Sequence, residues 1–165
     1  VDVTLVRTLR DQTGAGIMDC KQALENSGGD IEKAAQALRE KGVASATKRV
    51  GRETNEGVIE TYLHTGGRVG AMVELGCETD FVARTEEFQE LAHDIAMQVA
   101  AMGPIYVDKD EIEDGDTRPP AQISLMQQPF IKNSSSSVGE MVTELAGKVG
   151  ENIRVVRFTR LAVGE

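Results

Sequence analysis

Residues 58–75 read Val58-Ile59-Glu60-Thr61-Tyr62-Leu63-His64-Thr65-Gly66-Gly67-Arg68-Val69-Gly70-Ala71-Met72-Val73-Glu74-Leu75. Two runs rich in strand-forming residues, Val58 to His64 and Val69 to Leu75, flank Thr65-Gly66-Gly67. That pattern reads as two strands joined by a hairpin turn. Downstream the period changes. Phe88, Leu91, Ala92, Ile95, Ala96, Val99 and Met102 fall at i, i+3, i+4, i+7, i+8, i+11 and i+14, one apolar face of a helix. Thr85 can cap that helix, and Glu86 and Glu87 suit its first turn through the helix dipole. Gly103-Pro104 stops it. A hairpin followed by a core-facing helix predicts an α+β fold, an antiparallel sheet with packed helices.

Upstream, the chain predicts a three-helix bundle. Val3, Leu5, Val6 and Leu9 place an apolar stripe on a first helix, and Thr13-Gly14-Ala15-Gly16 breaks it. Ile17, Met18, Cys20, Ala23 and Leu24 give a second helical face, ended by Gly28-Gly29. Asp30 is a good cap for a third helix lined by Ile31, Ala34, Ala35 and Leu38, with Gly42 expected to close it. Downstream, residues 103–121 hold Pro104, Pro119 and Pro120 and six acids between Asp108 and Asp116, which predicts a solvated loop. Residues 123–131 are expected to supply an extended segment and Ser134–Ser137 a second polar loop. A helix is expected over Val138–Val149, with Met141, Val142, Leu145 and Val149 on one face, and a last strand over Ile153–Val163.

The 165 residues carry 18 Lys+Arg against 27 Asp+Glu, a net charge of −9. Charge divides unevenly: residues 1–52 hold nine basic and seven acidic residues, residues 53–165 nine and twenty. Lys41, Lys48, Arg49 and Arg52 crowd the end of the first part. The expected organisation is therefore a module and basic linker over 1–52 and an α+β body over 53–165. The acidic balance opposes direct nucleic-acid binding, which needs cations to neutralise phosphates. No apolar run approaches the roughly 20 residues of a membrane helix. The first residues do not read as a signal peptide, so a cytoplasmic protein is expected.

Chemistry is hard to find. Cys20 and Cys77 stand far apart in unlike contexts, and with His64 and His93 they make no metal pattern. No metal and no cofactor is expected. Gly14-Ala15-Gly16 lacks the third glycine of a dinucleotide loop and does not follow a strand. A Cys77–His64 dyad across the hairpin is conceivable, but Glu78 and Asp80 would raise the thiol pKa, the wrong direction for a nucleophile. No catalytic residue is assigned. One segment stands apart: Gly76-Cys77-Glu78-Thr79-Asp80-Phe81-Val82-Ala83-Arg84 connects strand to helix. Phe81 there either protrudes as a binding anchor or packs into the local core, with Asp80 or Thr79 capping a helical turn. General burial preferences favour the core.

Thr79-Asp80-Phe81-Val82-Ala83-Arg84 resembles the T-D-F-V-A-[RK] signature of the elongation factor Ts family. Leu9 to Lys21, LRDQTGAGIMDCK, is similar to that family's second signature, L-R-x-x-T-G-A-G-[MI]-M-D-C-K. Gln128-Pro129-Phe130-Ile131 resembles its Q-P-F-V segment, and Gly150-Glu151-Asn152-Ile153 and Arg157-Phe158-Thr159-Arg160 resemble its ending, with Leu161 following where Phe is more usual. The matches are collinear and cover nearly the whole chain.

The resemblance implies a ubiquitin-associated-like N-terminal bundle and an antiparallel core. It implies a partner, the GTPase elongation factor Tu, and exchange of GDP for GTP on that partner rather than a reaction on a substrate. Phe81 would be a wedge between the partner's helices, with Asp80 its polar neighbour and Thr79 and Val82 shaping the loop. The wedge would disturb magnesium coordination around the bound nucleotide. Ile17, Met18 and Lys21 would form a second contact, although spacing alone leaves Met18 equally suited to the bundle core. Longer family members carry two related core halves or a longer connection, so this short form implies a homodimer. Two other readings compete. One is a protein-binding module on a dimeric scaffold, in which Phe81 is structural. The other is a Cys77-dependent enzyme.

Overall fold

A computed structural model describes residues 2–165. The helices are α1 (Val3–Thr13), α2 (Ile17–Asn26), α3 (Ile31–Thr47), α4 (Asp80–Ala83), α5 (Glu86–Met102), α6 (Pro120–Ile123) and α7 (Val138–Val149). The strands are β1 (Glu56–Leu63), β2 (Val69–Cys77), β3 (Pro129–Phe130), β4 (Asn133–Ser137) and β5 (Arg154–Ala162). The fold is α+β. It divides into two units: the segment through Gly51 with Thr143–Glu151, and Arg52–Val142 with Asn152–Glu165.

In the first unit, α1, α2 and α3 form a bundle around Leu9, Cys20, Ala23, Leu24, Ala34 and Leu38, with Leu5, Val6 and Ile31 packed against them. Asp2 caps α1 by accepting from the Thr4 amide at 2.8 Å, and Asp30 caps α3 by accepting from the Lys33 amide at 3.1 Å. That amide hydrogen bond holds the Asp30 carboxyl below its ordinary pKa. Two expectations need correction. Ile17 and Met18 are exposed and do not share the buried face of Cys20, Ala23 and Leu24. The third helix does not close at Gly42 but runs on to Thr47. Lys41 is therefore helical, and Lys48 and Arg49 follow at the C-terminal end of the helix, where the negative pole of the dipole favours cations. The close approach of α7 demands glycine at 147 rather than at 42, where a Cβ would stand 3.4 Å from its nearest neighbours. A Cβ at Gly147 of α7 would sit 2.5 Å from the Gly42 carbonyl carbon and 2.7 Å from its oxygen.

In the second unit, β1, β2 and β5 form an antiparallel sheet in the order β1-β2-β5. The β1–β2 turn closes with the His64 amide donating to the Val69 carbonyl at 2.9 Å. Ala71, Val73, Leu75 and Val155 are buried on the face that α5 covers. Helix α5 presents Phe88, Leu91, Ala92, Ile95, Ala96 and Val99, all buried, whereas Met102 at its end is half exposed. Thr85 caps α5 by accepting from the Phe88 amide, and Gly103 ends it in the left-handed region at φ 55°.

The acidic loop is closed at its base. The Ile105 and Tyr106 amides both donate to the Ile123 carbonyl, at 2.8 and 3.0 Å. Within it Arg118 donates twice to Asp116, at 2.9 and 2.6 Å. The strap that follows is fixed to α5 by buried amides. Gln98 donates to the Gln128 side chain at 3.2 Å and to the Pro129 carbonyl at 3.1 Å, and accepts from the Ile131 amide at 2.8 Å. The serine run is not a loop: it forms β4, paired with β3. Ser137 then starts α7 with a reciprocal cap. Its amide donates to Glu140 at 2.6 Å, and its hydroxyl accepts from the Glu140 amide at 3.1 Å.

Candidate functional site: the Phe81 turn

β2 ends at Cys77, and the chain turns at once into α4. Thr79 is extended, at φ −125° and ψ 154°, and its hydroxyl accepts from the Val82 amide. The Ala83 amide donates to the Thr79 carbonyl at 3.3 Å, and the Arg84 amide to the Asp80 carbonyl at 3.1 Å. The Thr85 hydroxyl closes the turn from below on the Val82 carbonyl at 2.7 Å. Val82 and Ala83 are buried, so the turn is bolted to the body through them. Phe81 points the other way and is 77% exposed. The expectation that general burial preferences place Phe81 in the core is thus corrected. A helical turn offers only part of its circumference to the body, and on α4 that part is taken by Val82 and Ala83, which leaves Phe81 on the outer side. Asp80 lies beside Phe81, with its carboxylate 2.8 Å from the Arg84 guanidinium, an i,i+4 pair.

Below the turn lies a contact that sequence reading missed. Glu78 accepts from the Asn152 amide at 2.7 Å, and its carboxylate is 3.6 Å from the Arg52 guanidinium. Asn152 is buried, and its side-chain amide donates to the Arg52 carbonyl at 2.8 Å. The partners lie 74 and 100 residues apart, a separation no local pattern signals.

The Cys77–His64 dyad does not form. Glu56, not His64, faces Cys77 across the hairpin, and His64 lies at its opposite end. Cys77 is buried, with its thiol directed at the Thr79 carbonyl at 3.1 Å, and His64 bonds the Tyr62 hydroxyl at 2.9 Å. Among the described residues, no group of three or more His, Cys, Asp or Glu side chains is placed to hold a metal ion. Among them too, no helix is long and apolar enough to cross a membrane.

Two further surfaces are open. In the first unit, Ile17 and Met18 are 56% and 73% exposed at the start of α2. Lys21, one turn on, pairs loosely with Glu25 at 3.9 Å. In the second unit, the sheet face opposite α5 is bare. The register places Leu63, Gly70 and Leu161 in one row, and Thr61, Met72 and Thr159 in the next. Ile59, Leu63, Met72, Leu161 and Val163 are all exposed there.

Residues 11–118 match the profile of the family described as Elongation factor TS. The chain is 47% identical to an Elongation factor Ts of Synechococcus sp. (strain RCC307) over 196 residues, covering 100% of this chain and 90% of that one. It is 43% identical to that of Thermotoga petrophila over 193 residues, covering 100% and 97%. Against that of Synechococcus sp. (strain JA-3-3Ab) it is 46% identical and spans 70% of the relative. The aligned stretches exceed the 165 residues of this chain, so the relatives carry residues it lacks. The chain belongs to the elongation factor Ts family.

Proposed function

We propose that this member of the elongation factor Ts family promotes release of GDP from the GTPase elongation factor Tu in translation elongation, acting in the cytoplasm. Its exchange surface is the turn of Thr79, Asp80, Phe81 and Val82. The observation that carries the reading is Phe81 itself, a large aromatic held out on an ordered turn. Burying such a side chain is worth about 1.5–3 kcal/mol, which the folded chain forgoes on its own and recovers against a partner.

The mechanism needs no acid, base or metal from this chain. The partner holds GDP through its phosphate loop and a magnesium ion. Phe81 enters between helices of the nucleotide domain, and their shift disturbs the magnesium coordination that neutralises the phosphates. GDP then leaves faster. Linkage makes the effect reciprocal: if the factor weakens GDP binding, GDP weakens factor binding by the same ratio. The residues 1–52 module provides a second contact. Exposed Met18 and Ile17 supply an adaptable apolar patch, and Lys21 a charge for an acidic rim. The 53–165 body carries exchange and dimerisation. Its bare sheet face supports a homodimer, since contiguous apolar surface of this kind marks an interaction site.

The test is catalytic turnover. Fluorescent GDP is loaded with magnesium onto elongation factor Tu and chased with excess unlabelled nucleotide. A substoichiometric amount of this protein is expected to accelerate release of the whole bound pool. Release at the unassisted rate would contradict the reading, and the binding-module alternative would then hold.

A further inference from the structure

We infer that Glu78 is a positioning residue that holds the Phe81 turn in its active geometry by locking it to Asn152 and Arg52. This rests on the exchange reading above. Glu78 immediately precedes Thr79, where the turn begins, and its side chain is 22% exposed. Its carboxylate accepts from the Asn152 amide at 2.7 Å, a short charge-assisted bond. The Arg52 guanidinium, 3.6 Å away, adds a second favourable charge. Asn152 closes the ring by donating to the Arg52 carbonyl at 2.8 Å. The chain passes between its two units at three points, after Gly51, Val142 and Glu151. Residues 52 and 152, the first beyond two of these points, both meet Glu78.

The consequence is mechanical. A wedge displaces a partner's helices only if its own base does not yield. The backbone of α4 is a single turn, too short to be stiff alone. Val82 and Ala83 anchor it on the C-terminal side, and Glu78 anchors it on the N-terminal side. A group held in advance in its working geometry loses less on reaching the transition state. Loosening it should therefore lower the maximal exchange rate more than the affinity.

The experiment measures GDP release from elongation factor Tu against factor concentration for the parent, Glu78→Ala and Glu78→Gln. Amide hydrogen exchange is followed on the same proteins. For Glu78→Ala the expected result is about a tenfold fall in maximal rate, with the half-saturating concentration changed less than about twofold. Glu78→Gln keeps most of the rate, because its amide oxygen still accepts from Asn152. The Val82 and Ala83 amides exchange about tenfold faster in Glu78→Ala, while those of Ile95 and Val99 in α5 are unchanged.

Full exchange rate in Glu78→Ala overturns the inference. So does an equal loss in Glu78→Gln, and so does uniform loosening of α5, which would make Glu78 a support of the fold rather than of the turn. A parent that fails to accelerate GDP release overturns the exchange reading instead, and the local amide protection then decides separately whether Glu78 orders the turn.

Discussion

Phe81 stands 77% exposed beside the buried Val82 and Ala83, held by caps from Thr79 before it and Thr85 after it. Thr79 and Thr85 were legible as caps, since their spacing to the following amides is local. The exposure of Phe81 was not. Burial statistics favour the core for phenylalanine, and only the inward commitment of Val82 and Ala83 decides otherwise. Met18 is the same case on α2. Glu78 was invisible for another reason: its partners come from the far end of the chain and from the segment before β1. Asp116 offers a direct test at this scale. Hydrogen bonding from Arg118 pulls its carboxyl from the ordinary 3.8 down to about 2. A depressed carboxylate pKa contributes to stability above pH 4, and the contribution is lost as pH falls through about 2. Titration of the Asp116 carboxyl carbon by NMR should give that low value. In Arg118→Ala it should return toward the ordinary one; an unchanged value would show that Arg118 is not the cause.

At the scale of elements, hairpin, α5 and α7 followed the sequence closely because each has a clear period and a local stop. α3 and β4 did not. A glycine in mid-helix costs about 1 kcal/mol against alanine, so Gly42 read as an end. The helix nevertheless continues through it, and the glycine that the packing requires is Gly147, which lies against the Gly42 backbone. Serine has little preference for strands, and the run became β4 through its pairing with Pro129 and Phe130. The glycine contact predicts its own mutant. Gly147→Ala gains about 0.5–1 kcal/mol of helix propensity. It meets the Gly42 carbonyl, which cannot rotate away as a side chain could, and overpacking of that kind costs about 1–3 kcal/mol. The clash should win, and the urea midpoint should fall. Exposed Glu144→Ala, one turn earlier, should leave the midpoint within the equivalent of about 0.5 kcal/mol. Equal midpoints for parent and Gly147→Ala would mean that α3 and α7 are free to separate.

At the scale of the molecule, fold class was legible from one hairpin and one helix, and the family from two signatures in order. Sequence did not reveal that Thr143–Glu151 joins the first unit, because membership is set by packing and α7 has no break at that point. Nor did it reveal the bare sheet face, whose residues alternate like those of any half-buried sheet. If that face joins two copies, the parent should sediment as a dimer at micromolar concentration, and Leu63→Asp with Leu161→Asp should sediment as a folded monomer. A monomeric parent would contradict the dimer. Exchange through one exposed aromatic is tested by GDP release from magnesium-loaded elongation factor Tu with the parent and with Phe81→Ala side by side. Because Phe81 is exposed, the variant should keep the parent's unfolding midpoint and lose most of the acceleration. A variant that folds normally and accelerates GDP release as much as the parent would show that Phe81 is not the wedge.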